Sequence, residues 1–203
     1  MKNRDDRDHA EERLRLLSSM VEQSTTAMAT ADLDGKLTYV NPAWCEMHGY
    51  SDARDLIGKN LAICHNADQL KNDVVPFQAM VMQHGSFSGE IGHITRDGQI
   101  FPTLMTSTRI EDESGVPVAI VAIARDITEL KRTEEALLRT RYAMDHAADA
   151  VFWILSDARI VYANLYAEKL LGYTREQLLT MTIHDIDPEF PRERWPQHWQ
   201  ELQ

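Results

Sequence analysis

Cysteine is scarce in this chain of 203 residues, which holds only Cys45 and Cys64. They form neither a CxxC nor a CxxCH pattern and are too few for a disulfide framework, so two half-buried thiols are expected. No cluster of His, Cys, Asp and Glu has ligand spacing, and no metal site is expected. Basic charge is also short. The formal net charge of -11 excludes the basic face that a nucleic-acid or anionic-membrane surface needs. No apolar run approaches the roughly 20 residues of a membrane span. The polar start, Lys2-Asn3-Arg4-Asp5-Asp6-Arg7-Asp8, has no signal-peptide core, so a cytoplasmic location is expected. Catalytic signatures are missing as well. There is no glycine-rich ATP lid, P-loop or Gly-Gly-Asp-Glu-Phe sequence, and His9-Ala10-Glu11-Glu12-Arg13 lacks the Pro of a kinase phosphoacceptor helix. No catalytic residues are expected.

What is present is a repeat. Tyr39-Val40-Asn41-Pro42-Ala43-Trp44-Cys45-Glu46-Met47-His48-Gly49-Tyr50 returns as Tyr162-Ala163-Asn164-Leu165-Tyr166-Ala167-Glu168-Lys169-Leu170-Leu171-Gly172-Tyr173, with Tyr, Asn, Gly and Tyr in register. Each copy reads as a short strand, a helix capped by Asn41 or Asn164, and a stop at Gly49 or Gly172. Pro42 suits the first helical position, and Trp44 and Met47 lie three apart on one helical face.

Around the first copy the pattern predicts an N-terminal helix from Asp8 to about Met20, striped by Ala10, Leu14, Leu17 and Val21. A strand-like run from Ala27 to Leu33 turns at Asp34-Gly35. Ser51 to Gly58 reads as a short helix, and Val74 to His84 as a longer one with Phe77, Met80 and Val81 on one face. Glu90 to Thr95 and Gln99 to Arg109 flank Arg96-Asp97-Gly98, which predicts a two-residue hairpin turn. Pro102 needs an edge-facing or irregular position. Val116 to Ala124 is apolar throughout, as expected of a central strand covered on both faces. A helix then runs from Asp126 to about His146. Ile127, Leu130, Leu137 and Met144 form a heptad-like seam interrupted by Glu134 and Arg141.

Asn41-Pro42-Ala43, Gly49-Tyr50-Ser51, Gly58, Arg96-Asp97-Gly98 with Phe101-Pro102, and Ile123-Ala124-Arg125-Asp126-Ile127-Thr128-Glu129 together resemble a PAS domain of the bacterial sensory type with its C-terminal PAC motif. The resemblance implies an α+β fold: a five-stranded antiparallel sheet with helices on one face, flanking signalling helices and a ligand-sized cavity or solid core. It divides the chain into an N-terminal helix (1–20), a complete PAS/PAC domain (21–127), a connector helix (128–146) and a truncated second PAS domain (147–203). The second copy lacks counterparts of the strands from Glu90 to Ala124, which suggests an incomplete unit from a longer signalling protein. Its tail places Trp195, Trp199 and Leu202 on one helical face.

The resemblance also sets the functional candidates. Trp44, Met47, Phe77, Met80, His84 and Met105 are the candidate pocket residues, and Asp126, Thr128, Leu130 and Leu137 the candidate signalling residues. Haem and flavin are both open cofactors, neither favoured. Haem needs a buried, oriented imidazole, and His65, His84 and His93 lie near the closing region of the cavity, although a surface or helix-capping histidine is the commoner outcome. The flavin-photochemical branch carries Asn-Cys-Arg-Phe-Leu-Gln, whereas here Asn60-Leu61-Ala62-Ile63-Cys64-His65 lacks it. Three functions remain open at this point. One is a sensory module that binds an unknown small ligand, forms a homodimer and signals through the connector to the effector of a longer parent, a histidine kinase or cyclic-dinucleotide enzyme. Another is a ligand-free dimerisation module. The third is a small enzyme using Cys45 and His48, one helical turn apart.

Overall fold

The computed structural model describes residues 2–201, which divide into two compact units between Lys131 and Arg132. In the first unit, helix α1 (Lys2–Glu22) precedes strands β1 (Ala27–Ala31) and β2 (Leu37–Val40), and then helix α2 (Pro42–Met47). A stretch of short turns includes helix α3 (Ala67–Gln69) and leads through a π-helical turn (Leu70–Val74) into helix α4 (Val75–His84). Strands β3 (Ser86–Ile94), β4 (Ile100–Glu111) and β5 (Pro117–Asp126) complete an antiparallel sheet in the order β2-β1-β5-β4-β3. Where a helix was expected from Ser51 to Gly58, only a single 3-10 turn forms, at Ala53–Asp55.

Alternation along the strands sends one set of side chains toward the helices. On β1 that set is Ala27, Ala29 and Ala31, and on β5 it includes Ala122 and Ala124, all buried. Trp44 from α2 and Phe77 and Val81 from α4 close over this face and are buried with it. Small residues on the two middle strands beneath large ones on the helices leave space between the layers. The opposite face of the sheet is open. Although β5 is the middle strand, its outward-facing Ile123 is 40% exposed and Leu104 beside it on the same face of β4 is 47% exposed, so the expected covering of both faces is corrected to one. Pro102 sits at the end of β4, beyond the ladder with β5, which starts at Thr103; its carbonyl accepts from the Ile127 amide.

Four turns share one geometry. Asp32–Gly35, Thr95–Gly98, Asp112–Gly115 and Leu155–Ala158 each carry a hydrogen bond from the fourth amide to the first carbonyl, and the first amide then reaches the carbonyl of the residue beyond. Only the fourth residue takes positive φ: +78° at Gly35, +84° at Gly98, +76° at Gly115 and +69° at Ala158. The two-residue hairpin expected at Asp97-Gly98 is therefore a longer turn in which Gly98 alone is left-handed, as in a type I turn followed by a bulge.

The second unit opens within helix α5 (Thr128–Asp145), followed by strands β6 (Phe152–Ile154) and β7 (Ile160–Ala163) and helices α6 (Leu165–Leu171), α7 (Arg175–Leu178), α8 (Ile183–Ile186) and α9 (Trp195–Glu201). Its core gathers Ile160, Ala163, Ala167 and Leu178. Trp195 packs in from α9, its indole donating to the Ser156 carbonyl at 2.8 Å. Leu202 lies outside the described residues. Among the described residues this unit has a two-stranded sheet only.

Candidate functional site

The space between the layers of the first unit is a partly open cavity of about 50 Å³. Trp44, Phe77 and Met105 line it, together with Ala29, Thr30, Ala31, Leu37, Leu61, Cys64, His65, Val74, Gln78, Val81, Ile91, Ser107, Ile120 and Ala122. Three of the expected pocket residues are elsewhere. Met47 is half-buried and faces a separate surface hollow beside Ala27 and Ala124, because a 300° step along α2 turns it past the edge of the Trp44 face. Met80 is half-buried and His84 is exposed at the end of α4, and neither reaches the cavity.

Beside the cavity lies a cluster that the sequence does not announce. His48 follows Trp44 by four residues as the C-cap of α2, and His93 follows Ile91 by two on β3, so each shares the side of a buried apolar neighbour. Both rings are fully buried, and His48 Nε2 lies 2.8 Å from His93 Nδ1. The hydrogen bonds determine the tautomers. The Trp44 carbonyl can only accept, so His48 Nδ1–H donates to it at 2.8 Å. His48 Nε2 then accepts from His93 Nδ1–H, which leaves His93 Nε2 as a buried lone pair without a partner. His65 donates from Nδ1 to the Gly92 carbonyl at 2.9 Å and meets His93 edge-on with ring centres 4.6 Å apart. Trp44 and Phe101 wall the group, their ring centres 5.8 and 5.9 Å from that of His93.

Burial lowers all three pKa values. It takes His48 down to about 4 against the opposing pull of the Trp44 carbonyl, and lowers His65 against that of Gly92. His93 falls well below the usual imidazole range, through burial and then the nearness of His65 and His48. The cluster is uncharged at neutral pH. Neither nitrogen of His48 is left for the Cys45 thiol, and burial raises that thiol's pKa, so the proposed Cys45–His48 pair is corrected to two separate structural roles. Burial pushes the Cys64 thiol up to about 12, a poor nucleophile. Among the described residues no group of three or more His, Cys, Asp or Glu is arranged to hold a metal ion. A cavity of about 50 Å³ has no room for a haem or a flavin ring system, and His84, the helix-end histidine, is outside it.

The repeated motif forms a second kind of site, built twice. Asn41 Oδ1 caps α2 by accepting from the Trp44 amide at 2.9 Å and also takes the Met28 amide of β1 at 2.9 Å. Its Nδ2 donates to the Thr26 carbonyl and to the Val21 carbonyl at the end of α1. Asn164 repeats every bond, with Ala167, Val151, Asp149 and Met144, at the same sequence separations of 3, 13, 15 and 20. Tyr39 donates to Glu22 at 2.7 Å and Tyr162 to Asp145 at 2.8 Å, each 17 residues back. The shared Asn therefore caps its helix and also fastens the end of the preceding helix to the first strand. Gly49 and Gly172 take φ of +73° and +75° after their helices.

At the exit from the sheet, Asp126 ends β5 and its carboxylate accepts from the Thr128 amide at 2.7 Å, starting α5. Ile127 is buried, whereas Leu130 and Leu137 are 56% and 69% exposed.

Comparisons with known proteins agree with this architecture. A family model described as a PAS domain matches residues 25–129, and a second PAS-domain model matches residues 138–202. A nitrogen fixation regulatory protein of Klebsiella pneumoniae is 25% identical over 154 residues, covering 74% of this chain and 31% of that protein. A probable diguanylate cyclase of Escherichia coli, DgcE, is 26% identical over 133 residues, covering 65% of this chain and 12% of that protein. The chain thus spans less than a third of the length of these relatives. The solved PAS domain of a Colwellia psychrerythraea protein superposes with a TM-score of 0.54 at 23% identity, covering 57% of this chain and 98% of that one, which supports the fold. With a family model matching more than half of its length, a second matching the repeat, and a five-stranded sheet of this topology, the chain belongs to the PAS-domain family.

Proposed function

We propose that this chain is the sensory and dimerisation module of a signal-transduction protein, in which a small ligand in the first unit's cavity biases the helix that leaves the sheet. The observation that carries the reading is continuity. Ile120 and Ala122 line the cavity, and the same strand runs on to Asp126, which caps α5. A change in the packing over those residues therefore acts on the strand that seeds the helix. The relatives support a signalling context, since one is named a nitrogen fixation regulatory protein and another a probable diguanylate cyclase. The effector, a histidine kinase or cyclic-dinucleotide enzyme, belongs to a longer parent, and the chain works in the cytoplasm. Among the described residues no helix is long and apolar enough to cross a membrane. The working divisions are the N-terminal helix, the PAS/PAC domain to Ile127, the connector to His146 and the repeat that follows it.

Hydrogen exchange tests the reading. Filling the cavity with Ala122→Leu, or with the milder Ala29→Val, should change amide protection along Thr128–Asp145 at least threefold. Unchanged protection in both folded variants would remove the sensory route.

A second reading, a ligand-free dimerisation module, is favoured by the small size of the cavity and by the exposed Leu130, Leu137 and Leu138 on α5. Leu137→Lys should then lower the mass seen by light scattering, and an unchanged mass would take this helix out of the interface.

A further inference from the structure

The two copies of the repeated corner differ in what covers the tyrosine. In the second unit Arg175 lays its guanidinium over the Tyr162 ring, 4.8 Å from the ring centre. Its Nη1 lies 3.8 Å from the Asp145 carboxylate, to which the Tyr162 hydroxyl donates. That corner supplies its own cation. At the place in the repeat where Arg175 stands, the first unit has Asp52, and where Lys169 stands it has Glu46. The first corner is an open hollow of about 520 Å³, with Glu22, Glu46 and Asp52 around Tyr39 and no Lys, Arg or His in its wall. Asp52 is already paired with the exposed Arg54, and one Glu22 oxygen accepts from the Tyr39 hydroxyl. The second Glu22 oxygen and the Glu46 carboxylate are left to meet a cation. The electrostatics differ in the same sense. Burial and Glu22 push the Tyr39 hydroxyl up to about 12, whereas the rise at Tyr162, from burial and Asp145, is opposed by Arg175 and Arg141.

We infer that the hollow beside Tyr39 binds the guanidinium of an arginine side chain on a partner polypeptide, seated over the Tyr39 ring between Glu22 and Glu46 as Arg175 sits over Tyr162. A guanidinium suits the site because its plane stacks on a phenol ring while its edge donates to carboxylates as a fork, which an ammonium cannot do. The rest of the wall points to a polypeptide as the source. Val40, Pro42 and Ile57 line the hollow, and Ile57 is 43% exposed, which gives apolar surface for an aliphatic stem and its backbone to cover. Glu22 ends α1, so the guest fastens that helix at the corner that Asn41 already ties. The hollow shares no wall residue with the cavity between the layers, so the site does not depend on what the cavity holds.

Blocked amino acids test the site in the full chain. N-acetylarginine methylamide carries the guanidinium, its citrulline counterpart a neutral group of the same outline, and its lysine counterpart a charge without the plane. The arginine compound should shift the backbone amides of Glu22, Tyr39 and Glu46 saturably in nitrogen-edited NMR spectra, with a dissociation constant on the order of millimolar at low salt. The lysine compound should bind about fivefold more weakly, and the citrulline compound about tenfold more weakly. Ethylguanidinium, the head without a backbone, should also be weaker by about fivefold. Glu46→Lys lies on an exposed position and copies the second unit, so it should fold normally and weaken the arginine compound about tenfold. Asp52→Arg copies Arg175 and should abolish binding, while Arg175→Ala should open a matching site, read at the Tyr162 amide. Equal binding of the citrulline compound, a non-saturating drift, or unchanged binding in both Glu46→Lys and Asp52→Arg would overturn the inference. Equal binding of the lysine compound would overturn the choice of guanidinium, and equal binding of ethylguanidinium would overturn the polypeptide source.

Discussion

The two units use one motif in two settings, and the difference separates scaffold from site. Both fasten a helix end to a strand through Asn, and both add a Tyr–carboxylate bond to it. Yet the first unit places Trp44 and His48 on the helix after the Asn, whereas the second has Ala167 and Leu171 at the matching positions. The first therefore closes a large aromatic ring over a five-stranded sheet and stacks its histidines behind it. The second buries Ala167 and Leu178 against two strands and draws Trp195 in from α9. The motif builds the corner of the fold, and the residues between its shared positions decide whether a cavity follows.

The largest test of this comparison is to remove the Asn from each unit. Asn41→Ala leaves two amides and two carbonyls without their partner and should cost the first unit about 3 kcal/mol. Asn164→Ala should cost the second unit a similar amount, enough to unfold it first. The four tryptophan indoles report each unit in urea titrations, Trp44 for the first and Trp153, Trp195 and Trp199 for the second. If both variants melt as the parent does, the Asn is only a helix cap.

Acid should separate the units nearly as strongly. His48, His65 and His93 have folded pKa values below that of an unfolded histidine, so the unfolded chain binds more protons between about pH 6.5 and 4. The first unit's stability is therefore complete above about pH 6.5 and falls as the pH drops toward 4. His48 alone, moving from the usual value to about 4, contributes a loss of about 3 kcal/mol across that window. Urea midpoints measured at pH 7 and pH 5 should fall for Trp44 much more than for the indoles of the second unit. His93→Phe should reduce that dependence. A fall of equal size in both units would remove the histidine cluster as its cause.

A smaller effect is expected at the one turn residue that differs. Ala158 occupies the left-handed position that Gly35 holds in the first unit, so Ala158→Gly should stabilise the second unit by about 1 kcal/mol, read as a higher urea midpoint for its indoles. Gly35→Ala should cost the first unit about as much or more, since the added carbon would lie 3.2 Å from Asn60 Nδ2 and from Leu61. Smallest of all, Tyr39→Phe and Tyr162→Phe should each cost about 0.5–1 kcal/mol by freeing Glu22 or Asp145. Equal losses would mean that the clamp works alike in both units.

Much of the fold is legible in the sequence because it rests on local chemistry. Asn before a helix, Gly after one and alternation along a strand act within a few residues, so the repeat and the antiparallel segments can be read directly. The exposed outer face of the sheet cannot, because Ile123 on β5 and Leu104 on β4 are as apolar as covered residues and only the neighbouring layers decide what water reaches. The site divides in the same way. Trp44, Phe77 and Met105 lie on apolar faces that periodicity reveals, and all three line the cavity. Met47, Met80 and His84, candidates that the resemblance suggested, miss the cavity, since Met47 is turned past the Trp44 face of α2 while Met80 and His84 lie half-buried and exposed on α4.

By itself the sequence determined the repeated corner, with its capping Asn and stopping Gly, and the order of strands and helices, since each depends on bonds between near neighbours. Tertiary structure decided what lies between the layers. His48 and His93 are 45 residues apart and meet only when the residue that ends α2 is brought against β3. The cavity beside them exists because alanines on β1 and β5 come to face Trp44 and Phe77, a match of small against large that no local pattern contains.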